Sequence, residues 1–388
     1  MYGATGYIGG LTARAMVASG LRPVLAGRHQ GRLTALGEQL SRAGDGMKLE
    51  TAVAGSEEPG PLRQLIGAGD VLVSTAGPFL KVGRPVVQAA VDAGAVYLDS
   101  SGEPPFIRQV FEEFGPRAEH TGAVLLTAFG YDYVPGNLAG ALALQAAGPA
   151  AVQVRVGYFV GGNIRKATSA GTRASVAGVL LEPGYSFRGG RLVTERTAAR
   201  VASFQVGGSR REAFSIGSSE QFALPRLRRQ AASSSTSAGE NDDMPAGAQL
   251  TDVGVYLGWF GAATGLVHYA SALAAPLERL PGVRGALDKQ ARRIQRSRAT
   301  PGTGETIRSD VVAVAADARG RRLATVHLTG GDPYSFTAPL LAWAAGTAAA
   351  QGVRPAGALG PAEAFGLASL ESACAEAGFR RAPDRKDA

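Results

Sequence analysis

The chain opens Met1-Tyr2-Gly3-Ala4-Thr5-Gly6-Tyr7-Ile8-Gly9, and the spacing of its three glycines decides how the rest is read. An apolar, alanine-rich run follows from Leu11 to Val17. A dinucleotide-binding turn needs this pattern. One glycine permits the tight turn, one lets backbone approach a pyrophosphate, and one lets the helix pack on its strand. Phosphates would then sit on N–H groups at the helix N-terminus. Gly3, Ala4, Thr5, Gly6, Tyr7, Ile8 and Gly9 are therefore the candidate phosphate cradle. Val24-Leu25-Ala26-Gly27-Arg28 stands where the next strand and its cofactor-reading tip are expected. Only Met1 and Tyr2 precede the glycines, whereas a strand normally has roughly five residues. The first strand is expected to be a stub, or to begin in coding sequence upstream of Met1.

Outward from that turn, residues 1 to about 130 alternate short apolar runs with helical patterns, as a parallel α/β sheet does. Strands are expected at Pro23–Ala26, Leu49–Val53, Val71–Thr75, Ala95–Leu98 and Ala123–Thr127. Helices are expected at Tyr7–Ser19, Gln30–Arg42, Leu62–Ile66, Arg84–Ala93 and Pro105–His120. Farther on the pattern changes. Val152–Val160 alternates like an exposed antiparallel strand. A helix is expected at Ser169–Leu181. Strands are expected at Arg191–Thr194, Ala213–Gly217 and Val253–Trp259, with a hairpin of Val311–Ala315 and Leu323–Leu328 turned by Asp317–Arg321. Gln230 to Ala248 has almost nothing apolar to bury and reads as a disordered surface loop. The fold class expected is α/β: a Rossmann-type doubly wound parallel sheet over residues 1–135, then an α+β mixed-sheet domain over 136–335. Helices in 336–388 are expected to return to the first domain.

Composition narrows the function classes. The 388 residues are 45% hydrophobic and 19% charged, enough for two domains with a large core. Cys374 is the only cysteine, which excludes an internal disulfide and a cysteine-based metal site. His29, His120, His268 and His327 are scattered and make no metal-ligand pattern, so no metal is expected. The net charge of +8 comes mainly from arginine. No basic stripe is interleaved with aromatics, so nucleic acid is not an expected partner. A solvated arginine surface remains open, as does attraction to phosphorylated cofactors, carrier proteins or anionic lipid. With the glycine turn at the very start, no signal peptide is expected, and the expected compartment is the cytoplasm.

The uncharged stretch Val253 to Leu277 has three readings: a buried strand followed by a helix, an exposed apolar face for a lipid, acyl chain or second subunit, or a membrane span. Four glycines, His268 and Pro276 stand against the span. Peripheral membrane contact stays open.

Arg28 bears on cofactor choice. An NAD site usually places Asp or Glu at the tip of the second strand, whereas an NADP site offers Arg to the 2′-phosphate. Here the tip is Gly27-Arg28-His29, with Arg32 a turn later. The expected cofactor is NADP (NADPH) ahead of NAD; the other reading is that Arg28 is only a surface cation. Ser74-Thr75-Ala76-Gly77-Pro78-Phe79 follows an apolar strand, and strand carboxyl ends are where ligands bind in open α/β sheets. Thr75, Ala76, Gly77, Pro78 and Phe79 are candidates to border the cofactor, unless the stretch is a plain turn. Tyr97-Leu98-Asp99-Ser100-Ser101-Gly102-Glu103 and Ala128-Phe129-Gly130-Tyr131-Asp132-Tyr133-Val134-Pro135-Gly136-Asn137-Leu138 are further polar tips expected at the same sheet edge.

Taken together, Gly-Ala-Thr-Gly-Tyr-Ile-Gly, Ala-Gly-Arg, Ala-Gly-Pro-Phe, Tyr-Leu-Asp-Ser-Ser-Gly-Glu and Gly-Tyr-Asp-Tyr-Val-Pro-Gly-Asn-Leu resemble the saccharopine dehydrogenase-like oxidoreductases. That group includes saccharopine reductases and trans-acting enoyl reductases. The resemblance implies a Rossmann domain, a nicotinamide cofactor and a second α/β domain closing the substrate cleft. It places Gly3 to Gly9 at the pyrophosphate, Arg28 at the adenosine end and Ala76 to Phe79 beside the nicotinamide. The chain departs from the group's pattern at Val53-Ala54-Gly55, where an Asp facing the adenine is expected. It departs again at Lys81 and Val82, and at Tyr131-Asp132-Tyr133 in place of Phe-Asp-Ser.

Hydride transfer needs a proton source for the atom that gains charge. Tyr131 and Asp132 are the candidate catalytic residues; Asp132 can instead bond its own turn. Lys81, Lys166 and Thr172 are weaker candidates to face substrate. No tyrosine has a lysine four residues later, which excludes short-chain dehydrogenase chemistry, and no Gly-x-Ser-x-Gly elbow supports a hydrolase. The expectation is an NADP-dependent oxidoreductase acting on a carbonyl, imine or activated alkene of a small or carrier-bound intermediate, as a homodimer. The competing expectation is a non-catalytic or membrane-associated NADP-binding protein of the same fold.

Overall fold

The computed structural model describes residues 1–43, 46, 48–55, 60–161, 183–234, 249–259, 261, 264–277 and 307–383. The chain forms two compact units, Met1–Val134 with Pro333–Phe365, and Pro135–Asp332 with Gly366–Ala388.

The first unit is a parallel sheet. The short strands β1 (Leu25–Gly27) and β2 (Thr51–Val53) pair in parallel on one side. On the other side β3 (Val71–Ser74), β4 (Val96–Asp99), β5 (Val124–Leu126) and a late pair of residues, Gly357–Ala358, run parallel in that order. Tyr2 joins the two halves through parallel bridges to Ala26 and to Ser74. Its N–H donates to Val73 O at 2.7 Å, and its carbonyl accepts from Thr75 N at 3.1 Å. The two residues ahead of Gly3 thus occupy the central strand position, short as they are. The chain crosses from one side of this stub to the other, which makes its carboxyl end the switch point of the sheet.

Helices α1 (Tyr7–Ala18), α2 (Gln30–Ala43), α3 (Gly60–Arg63), α4 (Phe79–Ala93), α5 (Pro104–Gln109) and α6 (Gly115–Thr121) connect the strands. Each expected strand and helix of this half is present with shifted ends. The largest shift is α4, which starts at Phe79, five residues before Arg84, and carries Pro85 inside it. A π-turn, Val110–Phe114, separates α5 from α6 in what reads as one helix in sequence. The late helix Pro333–Gln351 packs along α1. Tyr334 meets Tyr7 edge-on at 5.2 Å, and Gly346 lies against Leu21, where an added Cβ would stand 3.4 Å from Leu Cδ1. The two helices therefore run in the same direction, with their N-termini at the same rim.

The second unit starts in helix α7 (Val134–Ala147) and is built on a mixed sheet. Its strands are β6 (Gln153–Gly161), β7 (Pro183–Arg188), β8 (Arg191–Arg196), β9 (Val201–Val206), β10 (Ser209–Ile216), β11 (Asp252–Leu257), β12 (Arg308–Ala316) and β13 (Arg322–Gly330), with Arg380–Arg381 at one edge. β6 is not the exposed antiparallel strand its alternation implies. It lies between β11, to which it is parallel, and β12, to which it is antiparallel, and most of it is buried. Phe159, Phe204, Tyr256 and Val312 form the core over one face of the sheet. Strands β7 and β9 and the helix Glu220–Ser234 are additional to the elements expected from sequence. That helix also runs into the first residues of the stretch read as a loop; 235–248 lies outside the described residues, as do the expected helix Ser169–Leu181 and the candidates Lys166 and Thr172. The helix Leu367–Glu376 goes with the second unit, whereas the expectation returned it to the first. Val253 to Leu277 divides into buried β11 and the helix Thr264–Leu277. No helix among the described residues is long and apolar enough to cross a membrane.

Candidate functional site

The glycine turn owes its shape to close approach. Gly3 has φ +79°, and an added Cβ would stand 2.9 Å from Ala76 N. At Gly9 an added Cβ would come within 2.1 Å of Gly3 O and 2.8 Å of Thr75 Oγ1. No side chain fits at either point without moving backbone. Gly6 differs. It is exposed, its N–H closes the turn on Gly3 O at 3.0 Å, and an added Cβ would meet only Gly3 O at 3.3 Å. It is also the N-cap of α1 and supplies no capping side chain. The first turn of α1 therefore presents backbone N–H groups with no intrahelical acceptor, beside a glycine that leaves room in front of them. Of the cradle residues, Ala4 is fully buried, Thr5 and Ile8 are half-buried and Tyr7 is exposed. This arrangement fits a dinucleotide pyrophosphate.

Arg28 is exposed one residue past β1, beside the turn, because Gly3 N and Ala4 N both bond Ala26 O. Ala54 N bonds Gly27 O at 3.0 Å, so Ala54, where an acid was expected, is buried against the same tip. No carboxylate stands in Gly27-Arg28-His29 or in Val53-Ala54-Gly55.

Three loops follow β3, β4 and β5, and two buried carboxylates tie them together. Glu103, after β4, accepts from Phe79 N and Leu80 N, each at 2.9 Å. It caps α4 and fixes the Thr75-Ala76-Gly77-Pro78-Phe79 turn, where Gly77–Pro78 is cis and Phe79 is buried on Phe106. Asp99, the last residue of β4, uses one oxygen to accept from Ser101 N at 2.8 Å and from Ala128 N at 2.9 Å. It thereby joins its own loop to the loop after β5. Burial pushes the Asp99 carboxyl up to about 6, against the pull of the Ala128 and Ser101 N–H groups. Tyr97, fully buried, is raised by burial and by Asp99.

The third loop holds both catalytic candidates. Tyr131 is buried, with its N–H on Thr337 Oγ1 at 3.0 Å. Asp132 is half-buried, with its carboxylate against Gly102, where an added Cβ would stand 2.8 Å from Oδ2. Burial raises the Asp132 carboxyl to about 6. Lys81 is exposed on the first turn of α4. The unit therefore brings Gly3–Gly9, Thr75–Phe79 and Tyr131–Asp132 to one edge of its sheet, with Arg28 at the β1 tip. Asp99 and Glu103 stand in a motif that reads in sequence only as a polar loop; for Asp99 the signal is an acid ending an apolar strand. Thr337 had none.

A glycine turn at a switch point, with polar loops at the carboxyl ends of the following strands, defines a Rossmann-type dinucleotide-binding domain. Residues 1–126 match the family model described as the saccharopine dehydrogenase NADP binding domain, so the resemblance read from the motifs stands. A Mycobacterium tuberculosis protein assigned provisionally as a trans-acting enoyl reductase is 37% identical over 140 residues, 36% of this chain and 33% of that protein. The trans-acting enoyl reductase of Mycobacterium ulcerans is 34% identical over 140 residues, again 36% of this chain and 33% of the relative. The chain thus matches about a third of the length of these curated relatives. Among solved structures, apo saccharopine dehydrogenase (L-Glu forming) from Saccharomyces cerevisiae superposes with a TM-score of 0.54 at 12% identity, covering 98% of each chain. That likeness extends the fold assignment to both units.

Proposed function

We propose that this protein is an NADPH-dependent oxidoreductase that reduces a carbonyl, imine or activated alkene of a small or lipid-like biosynthetic intermediate. The observation that carries the reading is the glycine turn: Gly3 and Gly9 are wedged against Thr75–Ala76, and α1 opens its first turn behind exposed Gly6. Gly3 to Gly9 would hold the pyrophosphate, Arg28 the 2′-phosphate, and Thr75, Ala76, Gly77, Pro78 and Phe79 the nicotinamide side. Bound there, the nicotinamide supplies the hydride. Glu103 keeps the Thr75–Phe79 turn in register with α4. Tyr131 and Asp132 stand on the adjacent loop, and a protonated Asp132 can donate to an oxygen or nitrogen that gains charge. The relatives named enoyl reductases favour an enoyl group as the first acceptor to try, and we propose to present it as a thioester. The working state is a cytoplasmic homodimer.

The test is a fluorescence titration with NADPH and, separately, NADH, followed by NADPH consumption with a panel of enoyl thioesters, ketones and imines. Tight NADPH binding, weaker NADH binding and turnover with one acceptor class are expected. Binding without turnover of any of them would move the protein to the non-catalytic reading. No binding of either nucleotide would remove both.

A further inference from the structure

Thr337 lies 206 residues beyond Tyr131 in sequence, yet it holds the loop on which both catalytic candidates stand. Its hydroxyl donates to Pro333 O at 2.8 Å, one turn back in its own helix. That commits the proton, so the oxygen meets Tyr131 N–H with a lone pair, at 3.0 Å. Its methyl group packs on Gly130: an added Cβ there would stand 2.7 Å from Thr337 Cγ2. The same first helical turn carries Tyr334, edge-on to Tyr7 of the glycine turn. One turn of the Pro333–Gln351 helix thus touches both the phosphate cradle and the Gly130–Tyr133 loop, two parts that no strand pairing joins directly.

We infer that Thr337 is a positioning residue: by accepting the Tyr131 N–H it sets where Tyr131 and Asp132 stand relative to the cofactor turn. The catalytic part of this assignment rests on the proposed oxidoreductase reading. The positional part rests on geometry alone. Valine keeps the shape of threonine and removes the acceptor; serine keeps the acceptor and removes the methyl group.

The test compares wild type, Thr337→Val and Thr337→Ser by hydrogen exchange on peptides spanning residues 128–134, by NADPH titration, and by NADPH consumption with crotonyl pantetheine. Thr337→Val is expected to exchange about tenfold faster in that segment. Its kcat should fall by about tenfold or more, as misplacement of a reacting group does, with the Kd for NADPH within twofold of wild type. Thr337→Ser should restore slow exchange and kcat. Unchanged exchange in Thr337→Val, equal losses in both variants, or a Kd for NADPH that rises in step with the loss of kcat would overturn the assignment. If wild type consumes no NADPH with this thioester, the proposed reaction loses its first acceptor. The exchange pattern and the NADPH titration then decide the positional assignment by themselves.

Discussion

Arg28 stands exposed beside the glycine turn, and neither Gly27-Arg28-His29 nor Val53-Ala54-Gly55 contains an acid. A 2′-phosphate gains a charge-assisted bond there, and a bare ribose loses the carboxylate an NAD site offers. Arg28→Ala is expected to weaken NADPH by roughly tenfold or more, the scale of one bond to a charged group, and to leave NADH within about twofold; parallel titrations decide it. Asp99 makes a prediction of a different kind. Its carboxyl titrates near 6 when folded and near 3.9 unfolded. The folded chain therefore binds the extra proton between those values. The resulting stability is present below about pH 4 and is lost as pH rises through about 6. Asparagine keeps the oxygen that takes both N–H bonds and removes the titration. Asp99→Asn should be more stable than wild type at pH 7.5 by on the order of 2–3 kcal/mol, with a shallower slope between pH 4 and 6. Urea unfolding at several pH values measures both, and parallel profiles would contradict the assigned cause.

At the scale of elements, the site is a set of strand ends held by few bonds. The first turn of α4 would leave N–H groups without acceptors, and Glu103 takes two of them while tying the loop after β4 to the loop after β3. A carboxylate at a helix N-terminus also interacts favourably with the helix dipole. Glu103→Ala should lower unfolding stability by about 2 kcal/mol and weaken NADPH, because the Thr75–Phe79 turn loses its anchor. Equilibrium denaturation and nucleotide titration on one preparation check the pair of effects, and loss of stability alone would confine Glu103 to the helix. These parts differ in how far local sequence reveals them. Gly3 and Gly9 are legible because a φ of +79° at Gly3 and a close backbone approach at both leave no other residue type workable, and Gly6 is legible by its spacing from them. Strands β1, β3, β4 and β5 are legible because nearly all their residues are buried, which writes continuous apolar runs. β6 misleads: its alternation suggests a solvent face, but the strand is central, paired on both edges, and its second face is covered where Phe159 and Gly157 pack against Phe204.

Across the whole molecule, two compact units share one chain, and the proposed nucleotide cradle belongs to the first. A ligand that binds only the folded form stabilises it by about 2.7 kcal/mol at a hundred times its Kd. Calorimetry with NADPH should therefore raise the unfolding temperature of the transition that includes Met1–Val134. If the units melt separately, the other transition should stay in place; movement of the second alone would put the cradle elsewhere. The short-range order of the chain was determined by sequence. Glycine spacing, apolar period and strand-end polarity act over a few residues, and they specify the parallel sheet and the phosphate cradle without reference to anything distant. Pairings over long separations were decided only by the tertiary structure. The two-residue stub Met1–Tyr2 serves as a central strand because Ala26 and Ser74 flank it. Thr337 reaches Tyr131 because the Pro333–Gln351 helix packs along α1. Such contacts draw their energy from burial and from satisfying a specific backbone group, and neither partner's local sequence records where the other will be.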